Sequence, residues 1–448
     1  MRGYSCEQRN LKHCPSPYPS PPSTRERGPE TTYPSPPSTR ERGPEKTCSK
    51  SRTAISILHD PMTKRGRLPS RRICFVSGTR AEFGLMRSTL NAIAAHPGLQ
   101  LQLVITGMHL DRSCGRSIDA IRRDGWTVDA VIPWARGEAT EIANAVATGK
   151  AIAAMAATFA KLQSDIVLVT GDRVEAFAAA SAAHIGGRLV AHVHGGDRAL
   201  GLVDDSLRHA ITKLAHIHFP ATRLSAERIA RMGEDHWRIF RTGSPGLDEL
   251  RTIAAPLARM VEAFPSLQLR RFALVILHPQ TTDAAIEHRT AELVLRSVLK
   301  TGFEKIVIVY PNNDPGSDGI AKAWSKLHAD PRLIIQRDVP RPLFLGLLRD
   351  AVVLVGNSSS GIIEAASFGT PVLDIGDRQA GRERGPNVIH TDVRETDIVR
   401  ALRRIWNVGD PLRFASDNVY GAGGAGRRIV SRLNRVSLAR FRRKLISY

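Results

Sequence analysis

The chain has 448 residues, 42% hydrophobic and 24% charged, enough for two domains with their own cores and too mixed for a fibrous protein. Its net charge is +21, but residues 1–60 carry +4 and residues 427–448 carry +8, leaving +9 over the middle. That remainder suits anionic substrates, and without a basic motif interleaved with aromatics it argues against specific nucleic-acid recognition.

Residues 1–61 read as a disordered, proline-rich leader. YPSPPSTRERGPE occurs at 18–30 and again at 33–45, a density of proline without apolar period that cannot form a core. Either the leader is a docking arm or it is upstream DNA translated from a misplaced start. Met62, just before a basic segment that runs into the first strand, favours the second reading. Cys6, Cys14, Cys48, Cys74 and Cys114 show no CxxC spacing, so neither metal nor disulfide use is expected and a reducing cytoplasm fits. No apolar run approaches the roughly 20 residues of a membrane span, and the N-terminus lacks a signal-peptide core.

From Arg72 onward short apolar runs alternate with stretches of helical period. The first series is ICFVSG, LQLVITG, IVLVTGD, LVAHVHGG, IHFPATR and RIFRTGSPG, with an alanine-rich helix over 138–162. The second is ALVILHPQ, KIVIVYPNN, LIIQ, VVLVGNSS and PVLDIGD. This predicts an α/β protein of two doubly wound, Rossmann-like domains, over 62–250 and 251–426, followed by a basic segment, 427–448. Ligands of such sheets bind beyond the strands' carboxyl ends, where nearly every polar cluster of this sequence falls.

The first strand ends in SGTRAEFG, where Arg80 and the following helix's N–H groups suit a phosphate, although a solvated arginine is equally ordinary there. It is not the GxGxxG fingerprint of nicotinamide cofactors. In the second domain, GNSSSGIIEA offers Ser358, Ser359, Ser360 and Gly361 as a pyrophosphate cradle at a helix start, with Glu364 placed for the hydroxyls of a ribose. A helix needs only one cap, so a run of four polar residues points to a ligand.

HVHGGD carries His192 and His194 without an HExxH or equivalent constellation, so no metal is expected there. His192 reads as a structural histidine and His194, beside two glycines, as a cleft residue. Asp172 in GDR, Asp197 in HGGD and Asp204 or Asp205 in VDDS end neighbouring elements. Crowded carboxylates split their pKa values, so one can act as acid and another as base. Asp172, Asp197 and Asp204 form the expected acid/base set, with Asp205 open as the alternative to Asp204 and Arg208, one turn on, as the orienting cation.

GTRAEFG, TGMHLD, GDRVE, HVHGGD…GLVDDSLRHAITKL, RTGSPGLDEL, HPQT, NSSSGIIEA and GDRQAGRERGPNVI occur in order over about 72–406. Together they resemble the UDP-N-acetylglucosamine 2-epimerase family, in particular its hydrolysing, sialic- and legionaminic-acid branch. The resemblance implies a GT-B-like fold, no cofactor, a homodimer or homotetramer, and nucleotide held by the second domain. It implies phosphate contacts for Arg80 and His278 and a ligand-facing arginine among Arg378, Arg382 and Arg384, of which Arg382 is the choice. Reversible members carry QHRE-like and HVEAGLR-like stretches where this chain has MHLD and HVHGGDR, so their glutamate falls opposite His194. The implied reaction eliminates UDP from a UDP-HexNAc, leaves a glycal, and adds water to give an N-acetylmannosamine-type sugar. A GT-B glycosyltransferase and a non-catalytic nucleotide-sugar-binding regulator are the competing readings. The first-domain carboxylates fit elimination better than transfer.

Overall fold

The computed structural model describes residues 70–111, 116–134, 141–198, 204–311, 315–327, 329–337, 339–406, 411–445 and 447. The duplicated leader, Met62 and Cys114 lie outside the described residues, as does the side chain of Asp204.

Among the described residues twelve strands form two parallel sheets of six. The first holds β1 (Arg71–Ser77), β2 (Leu99–Ile105), β3 (Ala130–Val131), β4 (Ile166–Thr170), β5 (Leu189–Val193) and β6 (Ile217–Phe219), in the order β3-β2-β1-β4-β5-β6. The second holds β7 (Phe272–Ile276), β8 (Lys305–Val309), β9 (Leu333–Gln336), β10 (Val353–Gly356), β11 (Val372–Ile375) and β12 (Val388–Thr391), in the order β12-β11-β10-β7-β8-β9. Numbered within its own half, each sheet follows the 3-2-1-4-5-6 order of dinucleotide-binding folds. The central strands are apolar along their whole length because helices cover both faces, and β4, β5 and β7 are buried throughout. This is the two-Rossmann architecture expected from the alternation, and it agrees with the GT-B-like fold that the resemblance implies.

One expectation changes: RIFRTGSPG is no strand; Ile239 bridges to His218, and the chain then turns through a short helix at Pro245–Leu247. Two of the four edge strands, β3 and β12, carry no long apolar run and go unread in the sequence. The basic segment 427–448 contributes to the core: the helix Ala425–Arg435 buries Ile429, Val430 and Leu433, and Val436 and Phe441 join them around β1 and β2. The alanine-rich helix spans Glu141–Lys161 and has the length and composition of a membrane span. Its Ala151, Met155 and Phe159, one turn apart, belong to the first sheet's core.

Candidate active site at the carboxyl edges of the two sheets

At the end of β5 the chain makes a tight bend in HVHGGD. His194 takes a left-handed conformation (φ 62°) and so does Gly196 (φ 75°). A Cβ on Gly196 would lie 2.2 Å from the carbonyl oxygen of Ser225, so only glycine lets this loop meet the helix Arg223–Arg231. The bend turns His194 out of strand alternation. Its Nδ1 donates to Asp197 Oδ2 at 2.9 Å and its Nε2 lies 3.0 Å from Ser244 Oγ. Ser225 Oγ donates to the other oxygen of Asp197 at 2.7 Å. Burial disfavours the Asp197 anion, but the His194 hydrogen bond and the charges of His194, Arg208 and Arg382 outweigh it and hold its pKa well below the usual range.

Arg208, on the helix Asp204–Leu214, is 2% exposed. Its Nη2 donates to Asp172 Oδ2, at the end of β4, and its Nη1 donates to the His194 carbonyl at 3.3 Å and lies 3.9 Å from Asp197 Oδ2. Its Nε is buried with no hydrogen-bond partner. A buried guanidinium with one donor unspent is the arrangement expected of a cation that meets an anionic ligand. Asp172 is the more open carboxylate, its side chain 22% exposed against 3% for Asp197. Asp204 begins the helix; Asp205 sits 3.3 Å from His209 Nε2.

His192 has the bonding of a structural histidine. It bonds Gly171 O through Nε2 and Thr212 Oγ1 through Nδ1, and burial pulls its pKa down to about 3. Arg80 is exposed at the start of the helix Arg80–Ala94. The glutamate of GTRAEFG, Glu82, holds the turn by accepting from the Gly78 and Thr79 N–H groups. Burial first, then the charge of Glu175, pushes Glu82 up to about 7.

On the second sheet, His278 ends β7 and is bracketed by Asn357, which accepts from its N–H at 2.7 Å and donates to its carbonyl at 2.8 Å. Burial and then the charge of Arg378 pull the His278 imidazole down to about 3, so it is neutral near pH 7. Ser358 caps the short helix Ser359–Ile363, accepting from Ser360 N–H, while Ser359 and Ser360 are half-buried. Gly361 is set by packing, since a Cβ there would meet Val372 at 2.8 Å. Glu364 is gripped by Arg341 through Oε1 at 2.6 Å, and its Oε2 is buried without a partner. Gln379 Oε1 and Arg382 Nε are buried and unpartnered as well.

Contacts between the two halves bring these edges together. Leu224 N donates to Glu383 Oε2 at 3.2 Å, and Arg228 Nη2 reaches Gly381 O at 3.5 Å. Tyr420 donates its hydroxyl to Glu383 O at 3.0 Å, and burial together with the Asp197 charge raises its pKa. Asp172, His194, Asp197 and Arg208 are therefore one constellation, with Arg382 close enough to bias Asp197. Among the described residues no three His, Cys, Asp or Glu side chains are placed to hold a metal ion. Ser225, Ser244, Arg341 and Tyr420 were not anticipated, and of these Ser244, within the recognised motif RTGSPGLDEL, had a signal to find it by; Asn357 belongs to the polar run read before the helix at Ser359.

The two Rossmann-like units carry on facing edges polar groups suited to an anionic ligand. A family model described as UDP-N-acetylglucosamine 2-epimerase matches residues 91–434. The chain is 36% identical over 371 residues to a UDP-N,N'-diacetylbacillosamine 2-epimerase (hydrolyzing) of Legionella pneumophila, covering 82% of this chain and 97% of the relative. It is 34% identical over 353 residues to a UDP-N-acetylglucosamine 2-epimerase of Neisseria meningitidis, covering 79% and 91%. The fold matches that of a Neisseria meningitidis UDP-GlcNAc 2-epimerase solved with UDP-GlcNAc, with a TM-score of 0.70 at 20% identity over 81% of this chain and 99% of that one. The chain belongs to the UDP-N-acetylglucosamine 2-epimerase family.

Proposed function

We propose that the protein is a hydrolysing UDP-HexNAc 2-epimerase. The observation that carries the reading is Arg208, buried between Asp172, Asp197 and the His194 carbonyl with Nε unspent. In the proposed reaction the C2–H bond and the bond from C1 to the UDP oxygen break together. A base takes the C2 proton, and UDP departs with the electron pair, leaving a glycal. Water then adds hydroxyl at C1, and a proton returns to C2 on the opposite face, so UDP and a 2-epimeric N-acetylmannosamine-type sugar are released.

Asp172, the open carboxylate at the edge of β4, and Asp204, at the head of the Arg208 helix, are the proposed acid/base pair. Asp197 has both oxygens engaged, so its part is to fix His194 with Nδ1 protonated and Nε2 turned toward Ser244. Arg208 steadies the anion that develops as UDP leaves. The nucleotide lies along the second sheet, its phosphates toward Ser358, Ser359, Ser360, Gly361, neutral His278, Arg382 and Arg80, and its ribose toward Glu364 Oε2. The substrate class covers a UDP sugar with a hydroxyl at C4 and one with an acetamido group there, the two chemistries named for the relatives. Incubation with each donor in deuterated water, followed by NMR, tests the reading. Free UDP and a manno-configured sugar deuterated at C2 are expected; UDP-sugar consumed only when an acceptor is added would replace it with transfer.

A further inference from the structure

A groove of about 670 Å³ lies between the segment 239–242 and one face of the helix Ala425–Arg435. None of its lining residues belongs to the Arg208 constellation. It is lined by Arg241, Arg427, Arg428, Arg432 and Arg435, with Phe240 at its wall and no acidic residue. The spacing of the helical arginines puts them on one face, while Ile429, Val430 and Leu433 anchor the other in the core. Arg428 is spent on the carbonyls of Thr242 and Gly423, both at 2.8 Å. The Arg432 guanidinium stacks over Phe240, 4.8 Å from the ring centre. For Arg241, Arg427, Arg432 and Arg435 no carboxylate lies within ion-pair distance among the described residues. Some exposed arginines elsewhere are paired, as Arg87 is with Asp124 and Arg271 with Glu304.

Five like charges around one concavity repel one another, and a bound polyanion relieves that repulsion. Guanidinium groups match phosphate oxygens in fork geometry, and the volume falls in the range of small-ligand sites. We propose that this groove binds an oligophosphate of three or more charges, either the triphosphate chain of a nucleotide or a free inorganic chain. The groove's helix is also held to the segment that joins the two sheets. Asp248, in the connection between the sheets, accepts from Ala425 N at 2.8 Å and Gly426 N at 2.7 Å, where the groove's helix begins. The same carboxylate accepts from Ser88 Oγ at 3.1 Å.

The test is calorimetric titration of the full chain with inorganic triphosphate and, separately, with adenosine triphosphate, at low salt and with excess UDP present to occupy a nucleotide cleft. One saturable site is expected for both probes. Equal affinities assign recognition to the phosphates, and tighter binding of the nucleotide adds a contact to its base. Arg432→Ala/Arg435→Ala should weaken binding by about tenfold or more, since each charge-assisted contact is worth about that factor. The charge-matched control Arg403→Ala/Arg404→Ala, on a helix of the second domain, should stay within about twofold of wild type. Equal losses in both variants, or no saturable binding, overturn the proposal. Tighter binding of a single-stranded oligonucleotide than of triphosphate at the same salt overturns it in favour of nucleic acid. These readouts do not depend on turnover, so they stand or fall separately from the epimerase reading.

Discussion

At the carboxyl edge of the first sheet, Asp172, His194, Asp197 and Arg208 are bonded to one another, and Asp197 has no oxygen left over. At the edge of the second sheet, Glu364 Oε2, Gln379 Oε1 and Arg382 Nε are buried with nothing to bond. Both edges grow from the same strand order, so topology does not make the difference; the loops do. The first edge holds charge in fixed geometry, as suits groups that must be oriented before chemistry begins. The second leaves three polar atoms unsatisfied where the first constellation leaves Arg208 Nε, each a cost of roughly 1–3 kcal/mol that a ligand's hydroxyl and phosphate groups would remove. Chemistry is thus expected to fail when the first edge is altered, and affinity when the second is.

The sharpest way to break that contrast is Asp172→Asn. It keeps the shape of the side chain but removes the anion beside Arg208 and the capacity to take a proton. Turnover should fall by about a thousandfold, within the range for loss of a general acid or base, while the UDP dissociation constant moves by no more than about twofold. Steady-state kinetics and calorimetry on one preparation check both halves. A variant that turns over normally would take Asp172 out of the chemistry.

Glu364→Gln probes the other edge and should do the reverse. Arg341 loses its ionic partner, and a carboxylate acceptor facing the cleft becomes a neutral amide. UDP binding should weaken by about tenfold. If the carboxylate takes the ribose hydroxyls, 2'-deoxy-UDP should bind wild type and variant with nearly equal affinity. A tenfold gap that persists with the deoxy nucleotide would assign the loss to Arg341 and the helix it steadies.

How far the sequence discloses this arrangement depends on the distance over which each contact acts. β1, β4, β5, β7 and β8 are legible because both faces are buried, so each is a short apolar run closed by Gly, His or a polar cluster. β3, two residues long, and the mixed VIHT of β12 pair on one side only and carry no such run. Within the site, Arg208 follows from helical spacing after VDDS. Ser225, 28 residues from its Asp197 partner, and Ser244, 50 residues from His194, come together only through the crossing of elements. The C-terminal segment misleads for a different reason. Its eight basic residues dominate its composition, while Ile429, Leu433, Val436 and Phe441 recur among them at the intervals of a buried face.

Lys444, in that same segment, ties the chain's end to the helix that carries Arg208. Its ammonium lies 2.9 Å from Glu234 Oε2 and donates to the carbonyls of Thr212 at 3.3 Å and of Lys213 and Ala215, both at 2.5 Å. Burial nevertheless costs the cation more than Glu234 returns, and its pKa is pulled down to about 8 from an ordinary 10.5. Between those values the unfolded chain holds a proton that the folded chain has released, so this residue's contribution to stability rises with pH across that window. Below it the full penalty remains; Lys444→Met also takes a partner from buried Glu234 and so should destabilise at every pH, and the change of that difference with pH is what reports on Lys444. From pH 8 to 10 the stability difference should grow in favour of the wild type by at most about 1.4 kcal/mol per pH unit. Paired urea unfolding curves at pH 7 and pH 9.5 measure that difference. If the two proteins run parallel, Lys444 keeps its proton, and the latch on the Arg208 helix is an ion pair with Glu234 rather than a buried amine shared among carbonyls.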